Sequence, residues 1–167
     1  KANKKKIGMV APTFLDNLTT SPFSISLWYK PIGTRPIGDY EQLIGRDNGL
    51  HCPDTFGQWS LGLYDCRKVV VGFDMNSHWQ TSTVPDCTTL QAMITNQWHH
   101  TAFVFDGTNY KVYVDGILDS NTHGPCGSMS ANIGNLLLGK DYTGDLDDIL
   151  IYNRALTATE VIQLQGL

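Results

Sequence analysis

The stretch that most constrains the fold runs from Asn96 to Gly116 and reads NQWHHTAFVFDGTNYKVYVDG. It holds two apolar runs, Trp98–Phe105 and Tyr110–Val114, which are joined by an Asp-Gly pair and followed by a second such pair. Asp-Gly between β-favouring runs is a strong hairpin signal, because a tight primed turn needs the positive φ angles that Asp and Gly tolerate. The sequence therefore predicts a meander of antiparallel strands and an all-β fold.

The two runs differ in how their side chains alternate. Tyr110–Val114 alternates, with apolar side chains on one face and more polar ones on the other. Trp98–Phe105 is apolar on both faces, since its phenylalanines share one face and Ala102 and Val104 share the other. A strand that is apolar on both faces is covered on both sides. We therefore expect the first run well inside a sheet and the second nearer to solvent.

Length and composition limit the class of protein. The 167 residues are 41% hydrophobic and 17% charged, which fits one globular domain over residues 1–167 with a sizeable core. No apolar run approaches the length of a membrane span, so no membrane insertion is expected. The net charge of −4 argues against nucleic acid as a partner. The basic segment Lys1–Lys6 is expected to be a terminal linker.

The four cysteines are Cys52, Cys66, Cys87 and Cys126. Their even number and their Pro, Asp and Gly neighbours indicate two disulfides in an exported, extracellular protein. Three pairings are open, and short loop closure favours Cys52–Cys66 with Cys87–Cys126. A zinc site is disfavoured, because it needs closely spaced ligand pairs such as Cys-x2-Cys and none occurs.

Other alternating runs predict further strands. Phe23–Pro31 alternates except at Trp28, which breaks the polar face and is expected to pack on the core from a second layer. Gln58–Tyr64 and Lys68–Asp74 predict a second hairpin that turns at an Asp-Cys-Arg sequence. The segment Thr81–Ala92 is polar, and no helix is predicted there.

The C-terminal part predicts a strand followed by a helix. Gly144–Tyr152 reads GDLDDILIY and predicts the strand. Thr157–Glu160 satisfies the capping-box pattern ahead of an apolar run, so one short terminal helix should follow. With turn signals at regular spacing, the chain is predicted to form an all-β, two-sheet antiparallel β-sandwich with this single helix.

Three segments, taken in order, carry a family resemblance: Phe23–Pro31 (FSISLWYKP), Gln97–Gly116 and Gly144–Val161. They resemble the laminin-G-like jelly roll of the concanavalin-A-like lectin and glucanase superfamily, in its bacterial-type and pentraxin-related branch. The resemblance covers nearly the whole chain and implies a jelly roll of two antiparallel sheets with loops at the rim. It implies function only loosely, because this fold hosts lectins, adhesion modules, calcium-dependent binders and glycosidases.

The glutamates argue against glycosidase activity. Such an enzyme needs two carboxyl groups facing each other across a cleft, and hydrolytic relatives of this fold carry a Glu-x-Asp-x-x-Glu strand. This chain has two glutamates, Glu41 and Glu160, and the second belongs to the helix cap. Asp147 and Asp148 are adjacent, so a regular strand would point them to opposite faces. We predict a protein that is not an enzyme.

The adjacent His99 and His100 look like a metal-binding pair. Adjacent strand residues cannot both face one ion, so this reading is rejected. In the family that the chain resembles, the Trp-His-His sequence is architectural, and the same role is expected here. No nucleophile motif such as Gly-x-Ser-x-Gly occurs, which agrees with the absence of catalysis.

Calcium is the one cofactor that the resemblance implies. Many family members hold one ion near the Asp that Asp147 matches, and Asp16 or Asn17 is a candidate companion. Calcium prefers such oxygen ligands. Alternatively, Asp147 caps a nearby turn by hydrogen bonding. Pentraxin-style paired calcium is not expected, because Lys140–Thr143 lacks the acidic and amide cluster.

Sugar binding requires exposed aromatic faces to stack on pyranose rings, with planar polar groups beside them. Trp79 is the strongest candidate because its neighbours are polar, although it could instead shield the edge of the core or a disulfide. Trp59 begins a strand and is expected in the core. The candidate ligand-binding residues lie in predicted loops: Asp47, Asn48, His51, His78, Trp79, Asp141 and Tyr142.

The sequence therefore predicts a non-catalytic, lectin-like extracellular module whose partner is a glycan or glycoprotein, with calcium as a candidate support. It could be joined to other domains of a larger chain. Two alternatives stay open. One is a cell-surface adhesion or protein-interaction module, and the other is a structural accessory domain of a secreted enzyme.

Overall fold

The computed structural model of the chain describes residues 7–9, 21–46, 59–71, 87–119 and 135–166. These residues form ten strands and two helices. In chain order the elements are β1 (Ile7–Met9), β2 (Phe23–Pro31), β3 (Tyr40–Arg46), β4 (Trp59–Tyr64), β5 (Lys68–Val71), α1 (Cys87–Ile94), β6 (His99–Phe105), β7 (Tyr110–Val114), β8 (Ile117–Leu118), β9 (Leu136–Leu138), β10 (Gly144–Tyr152) and α2 (Ala158–Gln165).

The strands form two five-stranded sheets in which all neighbours are antiparallel. The first sheet has the order β1-β9-β3-β4-β5, and the second has the order β10-β2-β6-β7-β8. The predicted two-sheet sandwich is confirmed. So is the expected position of β6, which is apolar on both faces and lies at the centre of the second sheet, with β7 nearer to its edge.

The main core lies between the sheets. Alternate residues of β2 point inward, and four of them are completely buried: Phe23, Ile25, Leu27 and Tyr29. The ring of Phe23 packs against Trp59 of the first sheet and against Phe103 and Phe105 of β6, with centroids 5.4–5.8 Å apart. Trp59 is therefore a core residue, as predicted. Burial of several large aromatic rings contributes much of the folding free energy of such a sandwich.

Helix α2 covers the outer face of the second sheet. Its N-cap is Thr157, which forms the predicted capping box with Glu160. Val161 of this helix and Leu156 before it pack with Ala102 and Val104 of β6 in a second apolar cluster. The alternate residues of β6 thus serve two different cores, which explains why both faces of that run are apolar.

Helix α1 was not predicted, because Thr81–Ala92 is polar. Its apolar side is short: Leu90 and Ile94, one turn apart, are fully buried. Their spacing matches the helical period, but two residues give a weak signal against so many threonines. The helix is an addition to the predicted fold, which had a single C-terminal helix. None of the helices in the described ranges is both apolar and long enough to cross a bilayer.

A disulfide joins Cys66, in the β4–β5 turn, to Cys87 at the start of α1. The favoured pairing of Cys52 with Cys66 and of Cys87 with Cys126 is therefore wrong. Short loop closure was the wrong criterion, because the hairpin turn and the first turn of α1 come together in space while 21 residues apart in sequence. Cys52 and Cys126 lie outside the described residues.

Candidate ligand-binding site

A β-bulge in β10 brings two carboxylates to one place. Asp147 pairs with Trp28 and Leu150 pairs with Ser26, so three steps along β10 correspond to two along β2. Asp148 lies in this irregular step with a φ of 46°, a left-handed conformation that Asp tolerates better than most residues. The expectation that Asp147 and Asp148 point to opposite faces is wrong, because the bulge lets both line one cavity.

This cavity, which we call the tryptophan pocket, has a volume of about 360 Å³. It lies on the outer side of the second sheet, where the end of α2 meets β2 and β10. A smaller cavity of about 170 Å³ beside it shares Trp28 and Asp148. The residues that line the tryptophan pocket are Trp28, Trp98, Asp147, Asp148, Gln165 and Gly166.

The two indole rings of the pocket are accessible to different degrees. Trp98 directly precedes β6 and is 42% exposed. Trp28 is half-buried, and its ring packs against His100 with centroids 5.4 Å apart. The Nζ atom of Lys30 lies 5.6 Å from the centroid of Trp98 and 3.2 Å from the carboxylate of Asp145. Trp28 was expected to pack on the core from a second layer; its ring packs on the buried His100 and also forms part of the wall of this cavity.

The two histidines that follow Trp98 have partners within the chain. The Asp115 carboxylate accepts a hydrogen bond from the His100 backbone N–H and also contacts His99 Nδ1, both at 2.9 Å. On the opposite face of β6, His100 Nε2 lies 2.8 Å from Ser26 Oγ. Burial lowers the pKa of His100 to about 4, against a smaller opposite effect of Asp115. The two imidazoles thus have separate structural roles, which agrees with the architectural role expected for this motif.

The second Asp-Gly pair positions the amide of the pocket. Gly116 follows Asp115 in the β7–β8 turn with a φ of 75°. A Cβ atom at Gly116 would lie only 2.7 Å from Gln165 Oε1. The glycine therefore leaves the space in which the Gln165 side chain lies beside the indoles. The Asn96–Gly116 meander contributes both Trp98 and this space to the pocket.

Neither glutamate of the chain is available as a catalytic acid. Glu41 is 1% exposed and accepts hydrogen bonds from Arg67 Nε at 2.9 Å and from the Thr143 N–H at 3.0 Å. The hydrogen bond from Arg154 lowers the pKa of Glu160 to about 2. A carboxyl group that donates a proton near neutral pH needs a raised pKa. Both glutamates thus have partners within the chain.

For the calcium prediction, Asp147 shows the alternative role. Its Oδ1 atom accepts the Asp148 N–H at 2.9 Å, so it caps the bulge. Within the described ranges, the one group of three acidic, His or Cys side chains with metal-binding spacing is Asp65 with Cys66 and Cys87, and its sulfur atoms are in the disulfide. Asp147 is not part of that group among the described residues. That prediction depends on Asp16 and Asn17, which lie outside them.

Two predicted sugar-binding residues, Asp141 and Tyr142, lie between β9 and β10, away from the pocket lining. Tyr142 is 8% exposed, its hydroxyl donates to the Asp145 carbonyl at 3.3 Å, and burial raises its pKa. The expectation that its ring is exposed is therefore wrong. Asp141 is exposed, and its carbonyl accepts a hydrogen bond from Arg35 at 2.6 Å. The other candidates lie outside the described residues: Asp47, Asn48, His51, His78 and Trp79.

A larger groove, of about 890 Å³, lies between α1 and the β2–β3 loop. No aromatic ring is among the residues that line it. Two of its polar groups bind each other, since the Arg35 N–H donates to Gln91 Oε1 at 2.7 Å and Gln91 Nε2 donates back to the Arg35 carbonyl at 3.1 Å. The tryptophan pocket is smaller, but it is the stronger candidate because the Trp98 ring and both carboxylates are exposed.

The two antiparallel sheets, with the pocket outside rather than between them, define a β-sandwich of the jelly-roll class. A family model of the concanavalin A-like lectin/glucanases superfamily, the third laminin G family, matches residues 4–162. The chain belongs to this superfamily, and the laminin-G-like resemblance is confirmed. A comparison with curated proteins found no match.

Solved structures share the fold at low sequence identity. Domain 4 of AbnA, a GH43 extracellular arabinanase from Geobacillus stearothermophilus, is 20% identical with a TM-score of 0.53, over 87% of this chain and 66% of that one. The botulinum neurotoxin serotype G binding domain is 16% identical with a TM-score of 0.63, over 99% and 41%. A Trypanosoma rangeli sialidase is 17% identical with a TM-score of 0.60, over 91% and 23%. The chain thus spans less than two thirds of each of these proteins.

Proposed function

We propose that this protein is a non-catalytic, lectin-like carbohydrate-binding domain that acts outside the cell. The observation that carries the proposal is the tryptophan pocket, where an exposed indole lies beside two carboxylates and an amide. Indole faces stack on the C–H surfaces of sugar rings, and planar polar groups beside them accept and donate hydrogen bonds to hydroxyls. The pocket combines both kinds of group on the rigid edge of a sheet.

The structural neighbours support a saccharide ligand. The AbnA domain was solved in complex with arabinotriose, and the Trypanosoma rangeli sialidase in complex with a difluorosialic acid. The Cys66–Cys87 disulfide supports an extracellular location, because disulfides persist in oxidising compartments. Glu41 accepts a hydrogen bond from Arg67, and Glu160 accepts one from Arg154. These contacts support a binding role for the domain rather than hydrolysis.

A protein-interaction module is the second candidate. It is supported by a botulinum neurotoxin binding domain that was solved with synaptotagmin II. It is also supported by the edge strand β8, where Ile117 and Leu118 are 54% and 45% exposed. Exposed apolar side chains on an edge strand are a feature that protein partners can use. The pocket offers more specific chemistry, so the saccharide proposal ranks first.

A glycan-array screen tests the proposal. We expect the wild-type domain to bind, and Trp98→Ala to weaken binding at least about tenfold, which corresponds to roughly 1.4 kcal/mol of lost stacking. Trp79→Ala is the matched control, since it removes the same side chain from the loop that the sequence favoured. A parallel screen in chelator tests calcium.

The outcomes separate the candidates. If only Trp98→Ala abolishes glycan binding, the tryptophan pocket is the binding site. If only Trp79→Ala abolishes glycan binding, the site includes Trp79 instead, and the lectin-like function still holds. If the folded wild-type domain binds no glycan with or without calcium, the carbohydrate proposal fails and the protein-interaction module takes its place.

A further inference from the structure

We infer that the tryptophan pocket prefers saccharides that carry a free amino group and rejects those that carry a carboxylate. The inference rests on the proposed function and names the ligand class of the same site. The ionisable side chains among the described residues that line the pocket are Asp147 and Asp148, and both are exposed. Exposed carboxylates are ionised at neutral pH, so the wall of the pocket is anionic.

No basic side chain is among the described residues that line this wall. Lys30 is the basic side chain placed beside Trp98, and it is paired with Asp145 at 3.2 Å. His100 lies under Trp28, where burial keeps its imidazole neutral near pH 7 because its pKa is lowered to about 4. A uronic or sialic acid would therefore meet two like charges without a compensating cation from the described lining.

The aromatic part of the pocket favours the same ligand class. An ammonium group near an indole face is attracted by the ring quadrupole, and the chain itself shows this contact, with Lys30 Nζ 5.6 Å from the Trp98 centroid. A protonated amino sugar would combine stacking of its ring with charge-assisted hydrogen bonds to the two carboxylates. A neutral sugar would keep the stacking but would form no charge-assisted hydrogen bonds with the carboxylates.

Three trisaccharides with the same gluco ring test this inference by calorimetry: glucosamine, N-acetylglucosamine and glucuronic acid oligomers. We expect the glucosamine trimer to bind at least about tenfold more tightly than the N-acetylated one, and the glucuronate trimer to bind weakest. The preference should fall several-fold in 0.5 M salt, because screening weakens exposed charge pairs.

Two double variants separate the pocket from the net charge of the protein. Asp147→Asn with Asp148→Asn should abolish the difference between the amino and N-acetyl trimers. Asp39→Asn with Asp65→Asn makes the same change in net charge at residues that do not line the pocket, and it should leave the difference in place. If both double variants reduce the preference equally, the effect belongs to the overall charge and the inference is wrong.

Failure of the inference differs from failure of the proposed function. The charge preference is overturned if the three trimers bind equally or if glucuronate binds most tightly. In either case, binding that is weakened by Trp98→Ala still supports a lectin-like site. If none of the trimers binds, the glycan array tests the inference instead. The inference is wrong if the domain binds only neutral or acidic glycans on the array and this binding depends on Trp98. No Trp98-dependent binding to any glycan removes the pocket as a saccharide site, and the inference fails with it.

Discussion

The charge network around Glu41 and the tryptophan pocket use similar groups in opposite ways. Glu41 and its partner Arg67 are both buried: Arg67 donates to the Glu41 carboxylate at 2.9 Å, and Nε of the partly buried Arg35 lies 3.1 Å away. The same Arg67 also donates to the Ile32 and Thr143 carbonyls. In the pocket, Asp147 and Asp148 are exposed, and the carboxylates face a cavity rather than a basic partner.

This difference in exposure and pairing indicates that the Glu41 network serves the fold and that the pocket is available to a ligand. The Glu41 network joins the β2–β3 loop, the β4–β5 turn and the β9–β10 loop through groups that are all bound within the chain. Such a network has nothing left to offer a ligand. The pocket has indole, carboxylate and amide groups that contribute little to folding. Substitutions of these groups should therefore have little effect on stability. The same chemical change in the two regions should therefore have very different effects.

The largest effect is expected for Glu41→Gln. The change leaves the buried Arg67 guanidinium without a counter-ion, which should lower the free energy of unfolding by about 3–5 kcal/mol. Urea denaturation followed by tryptophan fluorescence measures it. Glu160→Gln is the matched control, because it makes the same change at the exposed pair with Arg154, where the Oε1–Nη2 distance is 2.6 Å, and it should cost far less than Glu41→Gln because exposed ion pairs contribute little. Similar losses in both variants would contradict the distinction.

A pH-dependent effect of intermediate size is expected from His100. Its folded-state pKa is about 4, below the unfolded value of about 6.5, so the unfolded state binds more protons between these two values. Stability is then fully present above about pH 6.5, falls as the pH drops towards 4, and should lose about 3 kcal/mol from this group by pH 4. His100→Gln should show a flatter profile between pH 6.5 and 4.5. An unchanged slope in the variant would exclude His100 as the cause.

Local patterns predicted much of the fold. The Asp-Gly pairs, the alternation in Phe23–Pro31 and the Thr157–Glu160 capping box each depend on neighbours close in sequence, and the structure has the predicted elements there. Helix α1 was missed because its stability comes from burial of Leu90 and Ile94 and from a disulfide to a distant turn. No local pattern contains that information.

The pocket was only partly visible in the sequence for a similar reason. Trp28 stood out because it breaks a polar face, but the carboxylates were assigned to opposite faces, since a bulge cannot be read from GDLDDILIY alone. The role of Gln165 depends on where α2 ends relative to the β7–β8 turn. A useful signal was available, namely a second tryptophan, Trp98, which directly precedes the strand that pairs with Phe23–Pro31.

The smallest effect on stability is expected for Asp147→Asn combined with Asp148→Asn, the change that removes both charges of the pocket. An Asn side chain at position 147 can still accept the N–H that Asp147 Oδ1 accepts at 2.9 Å. Asn also tolerates the φ of 46° at position 148 at least as well as Asp. The free energy of unfolding should change by less than about 0.5 kcal/mol, as for other surface substitutions. A loss near that of Glu41→Gln would mean that these carboxylates hold the bulge together and are not available to a ligand, which would erase the difference between the two regions. If the free energy of unfolding does not change but the saccharide preference does, the two carboxylates act in ligand binding and not in folding.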